Sequence, residues 1–342
     1  MSRPRRSAWM LAPLFLAACG QKQAPDLGSR SAERATVAPA SSASAAASSG
    51  PAAAGQTACG ELPCELFDSP EAAFARVLED APAVLAIGET HAPANGPAVP
   101  STTRRFTEVL LPKLEGRASD LVLELWVANA KCNTAQQKQQ IKQVASQQRD
   151  VTQGQAPTNQ SDFRLLYDAA RKHKVRSHIL VPDCDEYGRI LDAGTGDIDA
   201  MLSMIARLTA TKVEAILAGD HGMVVAYGGA MHNDLAPRKG REAWSFGPRL
   251  QAKAGGKYVE LDLIVPEFVG DGDVWKSQPW YGHWRREAQG AKTVLFTIRP
   301  GTFAMIFAPT PRPAPAPSGA ASAPPPVSAP PRASAPPPAG SR

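Results

Sequence analysis

The sequence lacks several motifs that define common classes of protein. It contains no Gly-x-Ser-x-Gly elbow, which disfavours a serine nucleophile of the α/β-hydrolase type. It has no Cys-x-x-Cys pair, so a zinc site built on cysteines is disfavoured as well. The formal charge is +5, but it falls to +2 without Arg3, Arg5 and Arg6, and no basic stripe is present. We therefore expect no nucleic-acid partner.

The first residues have the pattern of an export signal. The three arginines precede an apolar run from Ala8 to Ala18, which is too short to span a membrane. The tetrapeptide Leu16-Ala17-Ala18-Cys19 resembles the lipobox of bacterial lipoproteins. That resemblance implies cleavage before Cys19 and a lipid anchor on its thiol. Gly20 and Gln21 follow with no aspartate, so we expect the outer membrane as the location.

Composition divides the remaining chain into three parts. Residues 19–58 are rich in Ala, Ser and Pro and predict a flexible linker. Residues 59–308 are long enough for a single α/β domain. Residues 309–342 are Pro- and Ala-rich and predict a disordered tail.

Four cysteines remain besides Cys19, which suits disulfides in an oxidising compartment. Three pairings are open. We favour Cys59–Cys64, which closes a small loop, and Cys132–Cys184, because each of the latter two follows a predicted strand at the same edge of the sheet.

Strands and helices alternate along the domain. Helices are predicted from Ser69-Pro70, from Thr103 to Leu114 with Pro112 bending or ending it, from Ser161 and from Asp197, the last ending near Thr209 or continuing to Leu217. Residues 134–149 are interpreted as an exposed helix or an excursion over the site. Buried strands are predicted at 83–87, 120–126, 176–181, 223–227, 257–265, 293–298 and 303–307. This order predicts a mostly parallel β-sheet with helices on both faces.

Acids and imidazoles follow several of these strands. Glu89 and His91 follow the first strand, and Glu124 interrupts the second, where a buried carboxylate needs a partner. His232 follows Gly228 and Gly229. Because parallel strands place ligands at their carboxyl ends, we expect these four side chains and Asp183 or Asp185, which follow a third strand, to share one pocket.

The pocket suits two chemistries. The same four residues could hold a divalent metal, with Asp183, Asp185 and His221 as further ligands. Alternatively, His91 acts as a general base without metal, oriented by Glu89 or Glu124. The aromatic segment 275–284 is interpreted as a lid or a core plug.

Four segments resemble motifs of one superfamily, which includes ChaN-like haem-binding lipoproteins, erythromycin-esterase-like hydrolases and TIKI (TraB) proteins. They are VLAIGETH at 84–91, LVLELW at 121–126, DIDAM at 197–201 and VAYGGAMHND at 225–234. The resemblance implies a pocket of Glu89, His91, Glu124 and His232. It implies a metal-dependent peptidase, a histidine-dependent esterase or a haem binder, depending on the branch. For haem, the ligand would be a tyrosine, and Tyr227, Tyr258 and Tyr281 are the candidates.

The sequence thus predicts a cell-envelope lipoprotein whose Glu/His pocket acts as a hydrolase on a small molecule or peptide. The alternatives are a haem-uptake lipoprotein and a non-catalytic interaction scaffold. The pattern leaves the oligomeric state open.

Overall fold

A computed structural model describes residues 59, 61–194, 198–219 and 222–311. The compact unit ends at Thr310. In the described ranges, no helix has both the length and the apolar character needed to cross a bilayer. Cys19, the signal segment, the linker as far as residue 58 and the tail from residue 312 lie outside the described residues, as does His221.

The described residues form an eight-stranded sheet with the order β1-β7-β8-β6-β2-β5-β3-β4. The strands are β1 (Cys64–Phe67), β2 (Val84–Glu89), β3 (Ala118–Trp126), β4 (Arg176–Leu180), β5 (Met223–Gly229), β6 (Tyr258–Ile264), β7 (Thr293–Arg299) and β8 (Thr302–Ile306). The six strands from β8 to β4 in this order run parallel. Within the described sheet, β7 is antiparallel to both of its neighbours, β1 and β8. The predicted α/β class is confirmed.

The helices are α1 (Pro70–Leu78), α2 (Thr102–Arg105), α3 (Ala135–Val151), α4 (Thr158–Lys172), α5 (Cys184–Asp192), α6 (Asp199–Leu217), α7 (Gly247–Lys253), α8 (Asp273–Lys276) and α9 (Arg286–Gln289). Ser69 caps α1 by accepting a hydrogen bond from the backbone N–H of Ala72. Thr134 caps α3 in a reciprocal arrangement with Gln137. The sequence predicted the start at Ser69 from this hydroxyl, but it did not predict the cap at Thr134.

Helices cover both faces of the sheet, as predicted. On one face, Phe74 of α1 and Phe163 of α4 pack against Leu85 and Ile87 of β2. On the other face, Ile205 of α6 packs against Val84 and Ala86 of the same strand. Side chains that alternate along β2 therefore point to two separate cores, which is why the apolar run is continuous.

Several predicted helix boundaries were wrong. α4 begins at Thr158 and not at Ser161, whose hydroxyl instead donates to the Thr158 carbonyl within the first turn. The helix predicted at 103–114 is a short α-helix followed by a π-helical segment (Phe106–Leu110) and a 3-10 segment (Leu111–Leu114). Pro112 lies in the 3-10 segment, where its missing N–H ends regular α-helical bonding. α6 runs to Leu217, which is one of the two ends that the sequence pattern left open, and its predicted first residue, Asp197, lies outside the described residues.

Both favoured disulfides are present in the structure, Cys59–Cys64 and Cys132–Cys184. The first ends at Cys64 on β1, an edge strand that the sequence pattern did not reveal. The second joins the segment after β3 to the start of α5, a helix that was also missed. This bond ties the two segments that leave neighbouring strands at one end of the sheet.

Candidate active site

Glu89 and His91 form a tight pair at the carboxyl end of β2. The ring Nδ1 of His91 lies 2.5 Å from Oε1 of Glu89. The side chain of Glu89 is 1% exposed and that of His91 is 8% exposed. With Nδ1–H donating to the carboxylate, the neutral ring carries its lone pair on Nε2. His91 is therefore held in the tautomer that a general base requires.

Two hydroxyl groups hold the Glu89 carboxylate in place, and the sequence pattern predicted neither contact. The hydroxyl of Tyr227 donates to Oε2 of Glu89 at 2.7 Å, and the hydroxyl of Thr103 donates to the same oxygen. Burial and the charge of Glu89 raise the pKa of Tyr227 well above its ordinary value, so it remains a donor. Tyr227 lies on β5 and Thr103 on α2, so only the fold brings these donors to Glu89.

Glu124 and His232 form a second pair. Nε2 of His232 lies 3.4 Å from Oε1 of Glu124, and both side chains are 2% exposed. Nδ1 of His232 donates to the Trp244 carbonyl at 2.7 Å. The other oxygen of Glu124 accepts from the backbone N–H of Gly229 at 2.5 Å. An imidazolium satisfies the carbonyl and the carboxylate at once, which favours the charged form of His232.

Burial lowers the pKa of the His232 imidazole, but the charge of Glu124 and the contact with it outweigh burial, so the pKa is raised. Burial likewise lowers the pKa of His91, and the hydrogen bond to Glu89 with the charges of Glu89 and Glu124 reverses this effect. Burial raises the pKa of Glu124, but the charge of His232 brings it below its ordinary value. Folding therefore raises the pKa of both imidazoles and lowers that of Glu124, because each histidine lies beside a carboxylate.

Glycines allow the two pairs to meet. A Cβ on Gly228 would lie 2.8 Å from Cβ of Glu124 and closer still to its Oε2, so the Glu124 side chain lies over the backbone of β5. A Cβ on Gly229 would lie 3.5 Å from Nε2 of His91 and 3.5 Å from Oε2 of Glu124. The predicted convergence of Glu89, His91, Glu124 and His232 is therefore present.

All four residues line a cavity of about 1040 Å³. The lining also includes Trp275 and Trp280 of the aromatic segment 275–284. Trp280 is buried and packs against Ile264 and Phe296, while Trp275 packs edge-on against Trp280. The aromatic segment is thus partly core and partly cavity wall.

Other predicted site residues lie elsewhere. Asp183 and Asp185 lie at the start of α5 and are not among the cavity-lining residues. The three tyrosines considered as haem ligands do not line the cavity either. The hydroxyl of Tyr258 donates to the carbonyl of Asn233, that of Tyr281 donates to Asp271, and that of Tyr227 donates to Glu89.

A divalent metal does not fit the arrangement of the four pocket residues. In the described ranges, no group of three or more His, Cys, Asp or Glu side chains is placed to hold a metal ion. Both oxygens of Glu89 accept hydrogen bonds from protein donors, and one oxygen of Glu124 accepts from a backbone N–H. We therefore derive no step through a metal.

The cavity also has acids that sequence reasoning missed, Glu260 and Asp262 on β6 and Asp234 after β5. The signal was present: two acids interrupt the strand Tyr258–Ile264, just as Glu124 interrupts β3. Glu260 is 3% exposed, while Asp262 is partly exposed.

Comparisons with known proteins do not identify the family or the function of this chain. No protein-family model matches the sequence, and no curated protein matches it. Among solved structures, the chain is similar to ChaN of Campylobacter jejuni, described with cofacial heme binding, at a TM-score of 0.31 and 12% identity. The match covers 58% of this chain and 87% of that one. A likeness of this size neither assigns the chain to a family nor gives it that ligand.

Proposed function

We propose that the protein is a hydrolase in which His91 is the general base that activates water. The observation that supports this is the exposure of the side chains. His91 is 8% exposed and is held by Glu89, which is 1% exposed, while Glu124 and His232 are 2% exposed. His91 therefore has the most exposed side chain of the four and lines the cavity, although its Nε2 atom is itself buried.

In this mechanism, Nε2 of His91 takes a proton from water while the water oxygen attacks the carbonyl carbon of an ester or amide. Glu89 keeps the ring in the correct tautomer and stabilises the imidazolium that forms. Thr103 and Tyr227 hold Glu89 in place. The resulting arrangement has an acid that orients a base, with the acid itself oriented by two hydroxyls.

Glu124 and His232 are positioning residues in this proposal. Their ion pair lies beside His91, and the charge of Glu124 favours the protonated form of His91. Loss of the Glu124 charge would lower the pKa of His91 and leave His232 with a buried, unpaired charge.

The test is hydrolysis of 4-nitrophenyl esters and of a fluorogenic peptide by the purified chain. We expect His91→Ala to abolish turnover and Glu124→Gln to reduce it, with both variants folded by circular dichroism. His173→Ala is the matched control, since His173 is a partly exposed residue at the end of α4 that contacts Glu115. Wild-type turnover in His91→Ala would refute the proposal.

A second candidate function is haem binding, which the cavity size favours. Drug-sized and cofactor-sized ligands occupy pockets of about 300–1000 Å³. Arg238, Arg241 and Arg299 line the cavity and would neutralise carboxylates of such a ligand. Titration of the purified chain with haem tests this candidate. A shifted Soret band that is lost in His91→Ala would support it, and an unchanged haem spectrum would exclude it.

We also propose that the protein is anchored to the outer membrane through a lipid on Cys19. The support is the segment Leu16–Cys19 and the residues that follow it. Incorporation of radiolabelled palmitate in wild type but not in Cys19→Ala would support the anchor. A scaffold role remains the proposal if the chain neither hydrolyses these substrates nor binds haem.

A further inference from the structure

Glu260 and Asp262 occupy the same face of β6, because residues two apart on a strand point to the same side. Both line the cavity that contains His91. β6 is hydrogen-bonded directly to β2, and Asp262 is level with Gly88, one residue before Glu89. A second pair of carboxyl groups therefore lies on the strand next to the proposed base.

This pair has few compensating partners. Oε2 of Glu260 accepts from the backbone N–H of Leu235 at 2.7 Å and from Arg299 at 3.4 Å. Oδ1 of Asp262 accepts from the side-chain amide of Asn233 at 3.0 Å. Asp234 adds a further negative charge, which Arg238, Arg241 and Arg299 partly offset. Two mostly buried carboxyl groups on one face of a strand raise each other's cost of ionisation, because each adds a like charge beside the other.

Asn233 provides an independent observation. Its side chain is 1% exposed, and among the described residues none donates a hydrogen bond to its Oδ1. This oxygen and Oδ1 of Asp262 both lie within 2.6 Å of the place that a Cβ on Gly88 would take. An amide oxygen beside a carboxyl oxygen gains a donor only if the carboxyl group is protonated or a bound molecule donates.

We propose that Glu260 and Asp262 share one proton at neutral pH and that Asp262 is the general acid for the reaction at His91. The inference rests on the proposed hydrolase function. The proton passes from the carboxyl group to the leaving oxygen as the bond between the carbonyl carbon and that oxygen breaks. His91 has meanwhile taken one proton from water, so the products are an acid and an alcohol. Transfer of that proton through solvent restores the pair.

Electrostatics agree with this assignment. Burial and the charge of Asp234 raise the pKa of Glu260 to about 7, despite the backbone hydrogen bond from Leu235 and the charge of Arg299. Burial and the charge of Glu260 raise the pKa of Asp262 well above its ordinary value. Tyr258, on the same strand, has a pKa raised well above 10 by burial and by these acids, so it stays neutral.

The first test compares esters with good and poor leaving groups, 4-nitrophenyl and ethyl esters of one acid. Acid catalysis contributes about 10²–10⁴-fold, so Asp262→Asn should lose roughly 10²-fold or more on the ethyl ester. It should keep most turnover of the 4-nitrophenyl ester, whose leaving group needs no proton. Glu260→Gln removes a like charge, so the alkaline limb of its pH–rate profile should move to lower pH. Equal losses on both esters would overturn the assignment of Asp262 as the acid.

The second test does not depend on activity and separates this inference from the hydrolase proposal. A carboxyl pair with raised pKa binds more protons when folded, so its cost to stability grows as pH rises from about 4 to 8. Urea unfolding of Asp262→Asn should show a gain in stability over wild type that increases with pH. Asp183→Asn, an exposed acid outside the cavity, is the control. If Asp262→Asn gains stability with pH but the wild type hydrolyses no substrate, only the catalytic role is overturned. If the stability gain of Asp262→Asn does not depend on pH, the shared proton is overturned.

Discussion

The sharpest structural prediction concerns Gly228, because the structure places the Glu124 side chain where any β-carbon would project. The added methyl group in Gly228→Ala would lie 2.8 Å from Cβ of Glu124 and 3.3 Å from its Cδ. Favourable contacts between carbon atoms are about 3.5–4.0 Å, so the Glu124 side chain must move by roughly 1 Å. The hydrogen bond from the backbone N–H of Gly229 to Glu124, now 2.5 Å, would then break.

Overpacking a core costs about 1–3 kcal/mol. A lost hydrogen bond to a charged group costs about 1.5–3 kcal/mol more. We therefore expect the free energy of unfolding to fall by roughly 2.5–6 kcal/mol, measured by urea unfolding at pH 7. The double variant Gly228→Ala with Glu124→Ala should lose less than the sum of the two single variants, since the side chain that clashes is gone.

Gly188→Ala is the matched control. Gly188 lies within α5, and its added Cβ would meet only the flexible end of Gln140, at 3.4 Å. Alanine is preferred to glycine in a helix by about 0.5–1 kcal/mol, so this substitution should stabilise the protein. If Gly228→Ala unfolds at the same urea concentration as wild type, Glu124 is not held over β5 and the geometry of the second pair is wrong.

Three further predictions use the same unfolding assay. Tyr227→Phe removes a donor to the buried Glu89 and should cost about 1–3 kcal/mol, and no change would mean that Glu89 does not need this hydroxyl. The pKa of His91 is raised by folding, so its contribution is complete below pH 6.5 and is lost as pH rises through the folded value. The stability difference between wild type and His91→Gln should therefore shrink from pH 6 to 9, and a constant difference would contradict the raised pKa. Cys132→Ser opens a bond between residues 52 apart and should cost about 2–4 kcal/mol, whereas equal stability with and without reductant would show that the bond is not formed.

The sequence alone predicted the parallel strands, and it predicted that Glu89, His91, Glu124 and His232 lie in one pocket. The run before Gly88 is buried on both faces, and such continuous apolar runs are typical of parallel strands between helices. Glu124 was recognised because a carboxylate inside such a run needs a partner. The helix start at Ser69 was predicted because capping is a local interaction between residues three apart.

The tertiary structure alone decided which partners these residues have. Tyr227 is 138 residues from Glu89 along the chain, and no local pattern distinguishes it from an ordinary core tyrosine. The same holds for Glu260 and Asp262, which reach the pocket because β6 pairs with β2 and not because they are near it in sequence. Strand order is set by the packing of whole helices against the sheet, which no short segment specifies. The sequence therefore determined the buried parallel strands and the four acids and imidazoles that follow or interrupt them, while the fold decided the pairs that these residues form.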